Sequence, residues 1–321
     1  MSENRKPRIG WILTGDRRFA SSRIHGYNIH DYLLSKGIDS RIVSSPAVAN
    51  CALQFGVHDR LKLFTGRYDL VIFQKVYDDK AVALARNLQK LRVKTVFLLC
   101  DLVETPMIYA VDHVIVTSQT LASWVYRQFG VTTEIIDDAI EIPDNFRAEG
   151  SGAGLPTGVW IGSKDNWGGI SRVLKMIRSF GLDKLMEVVT ISDHDEAAVA
   201  WSKQNVLRCC RLADFSLLPV DDTLRARVKS SNRLAMFLSM GLPVLAERIP
   251  AYEDLSEKTG GVVFAGSDKE WQYALENILN QRYRDELVGD AADKVRELLD
   301  ISVIGERWVD CLSDLLARRA H

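Results

Sequence analysis

Short apolar segments alternate with amphipathic segments along nearly the whole chain, and this alternation limits the possible folds more than any other feature. In the first half, the apolar segments are typical of strands that end at polar or glycine residues; they cover residues 8–13, 41–43, 69–73, 94–100, 113–116 and 133–136. Segments with helical periodicity lie between them, in residues 21–36, 79–91 and 118–129. Strands that are apolar on both faces belong in a parallel sheet covered by helices on each side. The sequence therefore predicts an α/β fold with a parallel sheet.

The alternation stops once and then restarts. Residues 144–158 (DNFRAEGSGAGLPTG) are rich in Gly, Ser and Ala and lack periodicity, which predicts an interdomain linker. The second series has strands at 159–161, 186–191, 215–218, 243–246 and 261–264, and helices at 170–180, 195–202, 206–210, 231–240, 268–279, 283–299 and 301–319. We therefore predict two Rossmann-like domains, 1–143 and 159–300, that face a cleft. A C-terminal helix in residues 301–321 is expected to pack back on the first domain.

Composition excludes several classes of protein. The 321 residues include 41 Lys and Arg and 42 Asp and Glu, and the net charge of −1 argues against an open nucleic-acid-binding surface. The five cysteines are scattered without a CxxC pair, which favours a reducing compartment over a zinc site or a disulfide framework. The N-terminus lacks the apolar core of a signal peptide, and no apolar run is long enough to span a membrane. We expect a cytoplasmic protein, associated with a membrane at most from its cytoplasmic face.

The stretch RVKSSNRLAMFLSMGLPVLAERIPAYEDL (residues 227–255) places a polar, cationic cluster in front of an apolar helix. Ser230 or Ser231 is a good N-cap. Cations near a helix N-terminus are disfavoured by the helix dipole by about 0.3–1 kcal/mol each. A bound phosphate would compensate Lys229 and Arg233, since helix N-termini bind anions. The cluster, with Asn232, is therefore a candidate phosphate site; the alternative is an ordinary capped helix with solvated cations.

Six stretches, in order along the chain, resemble GT-B-fold glycosyltransferases of the group 1 type. In the second half they are VWIGSKDNWGG (159–169), LADFSLLPVDD (212–222) and KSSNRLAMFLSMGLPVLAERIPAYEDL (229–255). In the first half they are ASSRIHGYNIHDYLLSKGIDSRIV (20–43), VIVTSQTLASWVYRQFG (114–130) and TEIIDDAIEIP (133–143). The resemblance implies a GT-B architecture and transfer of a sugar from a nucleoside-diphosphate sugar to a hydroxyl acceptor. The acceptor classes implied are a glycan, a lipid-linked sugar or another surface polysaccharide precursor, with no metal and no further cofactor.

Polar residues at strand ends are the other site candidates, because ligands of parallel sheets bind beyond the carboxyl ends of the strands. Asp101 ends a strand and is a candidate base for the acceptor hydroxyl, with a turn cap as the alternative. Arg233 is expected to stabilise the negative charge that develops on the diphosphate. The remaining donor-side candidates are Gly15, Gly162 and Lys164, and the acceptor-side candidates are Arg17, Arg18, Arg23, Gln74 and Lys75.

The chain departs from the resembled group at two positions. That group often carries two glutamates eight positions apart, and the second usually holds the ribose of the donor. Val228 and Met236 occupy those positions here. The other acidic residues that could take over the ribose or base contact are Asp193, Glu247 and Glu253.

Three other interpretations remain. A sugar-nucleotide epimerase or a phosphorylase shares the fold and the phosphate cluster, with more carboxylates or histidines in the cleft. A non-catalytic partner in an assembly would account for Val228 and Met236. A Rossmann dehydrogenase would need a GxGxxG motif after the first strand, which this sequence lacks.

Overall fold

The computed structural model describes residues 6–221 and 223–317, which fold into two compact units. The first unit holds the described chain as far as Ala139, the short segment Val228–Ser230 and the described residues from Leu299. The second unit holds Ile140–Arg227 and Ser231–Leu298. Each unit has its own parallel sheet, so the predicted fold class, two Rossmann-like α/β halves, is confirmed.

The first unit is built around six parallel strands: β1 (Arg8–Leu13), β2 (Asp39–Ser44), β3 (Leu70–Gln74), β4 (Lys94–Leu99), β5 (His113–Val116) and β6 (Glu134–Ile135). Their order in the sheet is β2-β1-β3-β4-β5-β6. Six helices connect them: α1 (Ala20–Ser22), α2 (Asn28–Ser35), α3 (Val57–Thr65), α4 (Asp79–Lys90), α5 (Met107–Ala110) and α6 (Gln119–Phe129). A π-helical turn, Arg23–Tyr27, joins α1 to α2.

The second unit repeats this plan with β7 (Thr157–Ile161), β8 (Glu187–Ser192), β9 (Val199–Ala200), β10 (Phe215–Leu218), β11 (Val244–Ala246) and β12 (Val262–Phe264). The order of these strands is β12-β11-β10-β7-β8-β9. Its helices are α7 (Trp167–Ser179), α8 (Lys203–Arg211), α9 (Leu224–Arg227), α10 (Asn232–Ser239), α11 (Pro250–Thr259), α12 (Asp268–Ile278), α13 (Gln281–Val288) and α14 (Ala291–Leu299). Short 3₁₀ turns lie at Lys164–Asn166 and Leu182–Lys184.

The central strands of both sheets are buried on both faces, as their apolar sequences predict. All five residues of β3 are buried, and Phe73 and Phe97 pack in one continuous cluster of the first unit. Trp160, Phe215 and Trp271 are fully buried in the corresponding cluster of the second unit. These cores fix the carboxyl ends of the strands, where the candidate site residues lie.

The last helix, α15 (Ile301–Ala317), packs on α2 in the first unit. The Trp308 ring lies 5.7 Å from the Trp11 ring, and the Tyr32 hydroxyl donates a hydrogen bond to Glu306 at 2.7 Å. Gly305 faces the Tyr32 ring so closely that an added Cβ would lie 2.2 Å from it. The predicted end of this helix, at residues 318 and 319, lies outside the described residues.

Two helix predictions in the second half are wrong. Residues 195–202 contain the edge strand β9, because Val199 pairs with Ile191 and the Trp201 amide donates to the Ser192 carbonyl at 3.0 Å. The predicted helix of residues 283–299 is divided into α13 and α14 at Gly289, whose φ of 43° ends α13. Tertiary pairing and a left-handed glycine override local helix propensity at these places.

The segment predicted as a linker, residues 144–158, is hydrogen-bonded within the second unit. Phe146 is buried, the Ala148 amide donates to the Met240 carbonyl at 2.8 Å, and the Glu149 amide donates to the Arg211 carbonyl at 2.7 Å. Within residues 6–221 and 223–317, no helix combines the length and the apolar character needed to cross a bilayer.

Candidate functional site

Each sheet has a point at which the chain connections leave in opposite directions. In the second unit this point lies between neighbouring β7 and β10, since β7 leads to β8 on one side and β10 leads to β11 on the other. A crevice forms at such a point beyond the carboxyl ends of the strands. The loop after β7 carries Lys164, and α10 begins after β10. The second sheet therefore brings the two predicted phosphate elements to the same crevice.

Arg233 lies in the first turn of α10 with an unsatisfied nitrogen. Its Nη1 atom is buried and finds no hydrogen-bond partner among the residues that the structure describes. Leaving a buried charged donor unpaired costs on the order of 1–3 kcal/mol or more. An anion at the helix N-terminus would satisfy this donor and the free backbone amides of the first turn together.

The sequence predicts Ser230 or Ser231 as the N-cap of α10. Ser231 holds that position, with φ −78° and ψ 7°, but without a capping hydrogen bond from its side chain. The Ser230 hydroxyl instead donates to Asp138 at 2.5 Å in the first unit. The N–H groups of the first turn, including that of Asn232, are thus left without a side-chain cap.

The loop after β7 is held by a carboxylate. The Lys164 amide donates to Asp193 Oδ1 at 2.7 Å, and the Lys164 side chain is exposed. At Gly162, an added Cβ would lie 2.3 Å from the Trp160 ring, so this position requires glycine. The sequence predicts that Asp193 contacts the ribose or the base of the donor. In the structure its carboxylate binds the backbone of this loop.

The other two ribose candidates are also engaged within the second unit. Glu247 forms an ion pair with Arg172 and accepts a hydrogen bond from the Val220 amide at 2.6 Å. Glu253 pairs with Arg248 at 3.0 Å. Met236, where the resembled group often has glutamate, is half-buried on α10.

Sequence reasoning missed an aromatic stack at the ends of β7 and β8. The rings of Trp167 and His194 lie parallel, with centroids 4.2 Å apart and an interplanar angle of 5°. The composition around His194 resembles a solvated loop, and only the tertiary fold brings this ring onto Trp167.

In the first unit the corresponding crevice lies between β1 and β3. Gln74 ends β3, is fully buried, and accepts a hydrogen bond from the Thr14 amide at 3.2 Å. Gln74 Nε2 has no partner within the described part of the chain. Lys75 follows with φ 56°, a left-handed backbone that is uncommon outside glycine and clusters at functional sites. Gln74 therefore joins the ends of β1 and β3 through its hydrogen bond with Thr14. Lys75 contributes a positive charge beside it.

Asp101 lies between two ammonium groups. Lys75 forms a short ion pair with Asp101 Oδ2, and Lys229 Nζ lies 2.6 Å from Oδ1. Burial disfavours the charged carboxylate, but the two lysines outweigh it and lower the pKa of Asp101 to about 2. Burial also disfavours a charged Lys75, and its anionic surroundings overcome this and raise the pKa of Lys75. The trio carries one net positive charge.

A second polar cluster joins His25, Asp138 and Ser230. His25 lies in the π-helical turn, and its Nδ1 is 2.9 Å from Asp138 Oδ1, while Ser230 donates to the other carboxylate oxygen. Burial disfavours imidazolium, but Asp138 outweighs it and raises the pKa of His25 well above its usual range. The π-helical turn that carries His25 is a type of irregularity that is frequent at functional sites.

The segment Val228–Ser230 belongs to this edge of the first unit. Val228 is fully buried in the first core, and its carbonyl accepts a hydrogen bond from the Ser118 hydroxyl at 2.7 Å. A glutamate at position 228 would bury a charge in that core, which explains the apolar residue there. Lys229 and Ser230 then reach Asp101 and Asp138.

The arginines after β1 are paired locally. Arg17 makes two hydrogen bonds to Asp31, at 2.8 and 2.7 Å, and lies over the Tyr27 ring. Arg18 is bound to Asp16, and Arg23 Nη1 donates to the Arg17 carbonyl at 3.5 Å. Gly15 is closed off by Phe19, whose ring would lie 2.5 Å from an added Cβ.

The structure therefore divides the predicted donor residues between the units. Gly15, Lys229 and Ser230 belong to the first unit, and Gly162, Lys164, Ser231, Asn232 and Arg233 belong to the second. No group of three or more His, Cys, Asp or Glu side chains within residues 6–221 and 223–317 is arranged to hold a metal ion.

A scan against protein-family models and a search of curated proteins gave no match. Among solved structures, sucrose-phosphate synthase from Thermosynechococcus elongatus is similar, with TM-score 0.65, 11% identity, and 98% of this chain and 100% of that chain covered. A glycosyltransferase from Rickettsia africae gives TM-score 0.66 at 10% identity, covering 99% and 100%. Anabaena HepE in complex with UDP gives TM-score 0.66 at 12% identity, covering 96% and 100%, and a UDP-glucose complex of HepE also matches. The chain therefore has the GT-B fold.

Proposed function

We propose that the protein is a glycosyltransferase that moves a sugar from a nucleoside-diphosphate sugar to a hydroxyl acceptor. The observation that carries this proposal is Arg233, whose buried Nη1 lacks a described partner in the uncapped first turn of α10. The similar HepE structures contain UDP and UDP-glucose, and this supports a nucleoside-diphosphate donor.

The donor phosphates are proposed to bind at the β7–β10 crevice of the second unit. Arg233 would donate from its guanidinium, and the Asn232 amide and its neighbours would donate from the helix N-terminus. Lys164 would add a point charge from the loop after β7. These donors can stabilise the charge that develops on the leaving diphosphate, so the proposed mechanism needs no metal ion and no further cofactor.

The acceptor is proposed to approach the strand ends of the first unit. Asp101 is a poor proton acceptor at neutral pH, since its pKa is about 2. We therefore assign Asp101 to holding Lys75 and Lys229 in place, rather than to removing the acceptor proton. The resulting positive trio suits an acceptor that carries a phosphate or carboxylate near the reacting hydroxyl.

A glycan, a lipid-linked sugar or another polysaccharide precursor fits this description of the acceptor. We place the reaction in the cytoplasm or on the cytoplasmic face of a membrane, in surface polysaccharide biosynthesis. Five free cysteines support a reducing compartment.

A non-catalytic partner with a retained donor site is the second candidate. It is favoured by Met236 and by the engagement of Glu247 and Glu253 with Arg172 and Arg248, which leave the ribose contact unassigned. Donor binding without sugar transfer or donor hydrolysis would support that candidate, and turnover would exclude it.

Titration calorimetry with uridine, guanosine, adenosine and thymidine diphosphates, with and without chelator, tests the donor site. We expect one of them to bind equally well in both conditions. Arg233→Ala should lower that affinity about tenfold to a hundredfold, because a charged hydrogen bond contributes roughly 1.5–3 kcal/mol. Arg233→Lys should recover part of it, and the exposed Arg208→Ala is the matched control. Unchanged affinity in Arg233→Ala would refute the proposed phosphate site.

A further inference from the structure

The first unit contains a cavity between its last helix and the amino ends of two neighbouring strands. The volume of this cavity is about 280 Å³. Pro7 and Ile9, at the beginning of β1, form one wall, and Gly37 and Ile38, just before β2, form the next. Because β1 and β2 are parallel, this amino edge lies opposite the carboxyl edge of the sheet. The cavity is therefore separate from the β1–β3 crevice.

One face of α15 forms the remaining wall. The residues of this helix that line the cavity follow the i, i+3, i+4, i+7 spacing of a single helix face; they are Val309, Leu312, Ser313 and Leu316. Leu312 is buried, whereas Val309 and Leu316 are only half-buried. The side chains of this face thus leave a gap to the sheet, and the walls of the gap are mainly apolar.

Two lysines lie at the rim of the cavity. Lys6 Nζ donates a hydrogen bond to the Gly37 carbonyl at 3.2 Å. An ammonium group has three N–H donors, so two remain on Lys6 for a ligand. Lys36 Nζ is already paired with Glu306 at 2.5 Å. Among the residues that the structure describes, Lys6 therefore gives this rim its unpaired positive charge.

An apolar cavity with a cation at its rim is complementary to an amphiphilic anion. The apolar part of such a ligand gains free energy by leaving water, while its charged head stays at the rim. An uncharged ligand would leave Lys6 unused, and a wholly polar anion would leave the apolar walls unfilled. At roughly 30 Å³ for each water-sized group, the cavity holds about nine such groups. A linear carboxylate of medium chain length matches this volume.

We propose that this cavity binds a medium-chain aliphatic carboxylate, whose chain lies between α15 and the ends of β1 and β2 and whose head group accepts hydrogen bonds from Lys6. Ser313, exposed on the lining face of α15, supplies a hydroxyl donor at the rim. The ligand contacts the helix and the strands together, so it stabilises the folded first unit by mass action. Binding at this cavity is independent of the proposed glycosyl transfer.

Titration calorimetry of the full chain with octanoate tests the site. We expect the affinity to rise about fourfold for each methylene from hexanoate to octanoate, because each buried methylene contributes a similar transfer free energy. Octanol has the chain without the charge, and acetate has the charge without the chain, so both should bind much more weakly. Equal affinities for octanol and octanoate would contradict the assigned role of Lys6.

Two variants are designed to fill the cavity. Val309→Phe and Ser313→Phe each add a ring on the lining face of α15, and each should lower octanoate affinity at least about tenfold, since a ring that takes the space of two methylenes removes that much affinity. Ser313 is exposed, so Ser313→Phe should fold even where Val309→Phe does not. Val303→Phe is the matched control, because Val303 is 38% exposed on the same helix and does not line the cavity.

The charge at the rim is tested with a second pair. Lys6→Gln should weaken octanoate binding about twofold to fivefold, the range of an exposed ion pair, whereas Lys90→Gln, on the exposed side of α4, should leave it unchanged. Arg233→Ala should bind octanoate as the wild type does, so that a failed donor site leaves this result standing.

Three outcomes would overturn the carboxylate site. The first is an absence of octanoate binding, and the second is an affinity that is unchanged in both filling variants. The third is binding that disappears as the protein concentration is raised, which would mean that a second copy of the chain covers the cavity.

Discussion

At the scale of single residues, Asp101 is held by an ion pair on each of its carboxylate oxygens. Its carboxylate is 14% exposed and lies between Lys75 and Lys229, which come from positions 26 residues before and 128 residues after it. Such an arrangement stabilises the folded state only while the carboxylate is charged. The folded pKa of about 2 lies below the ordinary value of 3.8, so this stabilisation is present above about pH 4 and is lost as the pH falls towards 2.

We therefore expect Asp101→Asn to lower the free energy of unfolding by on the order of 2 kcal/mol at neutral pH. The difference from wild type should shrink as the pH falls below 4, because the wild-type carboxylate then becomes protonated. Urea unfolding over a pH series measures it. Asp31→Asn, in the exposed pair with Arg17, is the control and should cost little at any pH. A difference that is independent of pH would contradict the assigned charge.

The sequence could place Asp101 and Lys75 but not their third partner. Both follow apolar segments whose ends are visible in the sequence, and parallel strands bring those ends to one edge. Lys229 comes from a segment between two elements of the other unit, and no local pattern predicts that it joins this edge. The same tertiary placement uses Ser230 on Asp138, which is why its predicted capping role is not observed.

At the scale of elements, two glycines in helices have opposite surroundings. An added Cβ at Gly305 of α15 would lie 2.2 Å from the Tyr32 ring, whereas at Gly168 of α7 it would meet nothing within 4 Å. Gly305→Ala should destabilise the fold by roughly 1–3 kcal/mol through overpacking against α2. Gly168→Ala should stabilise it by about 0.5–1 kcal/mol, as helix propensity predicts. Chemical denaturation of both variants checks the signs, and a neutral Gly305→Ala would show that α15 can move off α2.

Element prediction worked where burial and periodicity agree. The long apolar strands β3 and β4 and the capped helix α6 were predictable, since Ser118 accepts from the Leu121 amide and Gly130 ends the helix with φ 67°. β9 was not, because residues 195–202 look helical in isolation and become a strand only by pairing with Ile191. The two residues of β9 form a strand only by pairing with β8, which lies outside residues 195–202.

At the scale of the whole molecule, the charges nearly cancel. The net charge is −1 and the isoelectric point is near 6.6, so the molecule as a whole has no attraction for an anionic surface above neutral pH.

The three residues Val228–Ser230 interrupt the second unit along the chain but belong to the first, and this has an evolutionary consequence. A gene segment that encodes residues 140–298 cannot be exchanged between related proteins without affecting the first unit. It carries with it the valine that fills the first core, the lysine that neutralises Asp101 and the serine that meets Asp138. A recombinant protein should fold only if its first half has a core and carboxylates that fit these three residues. The two halves of the gene are therefore expected to diverge together.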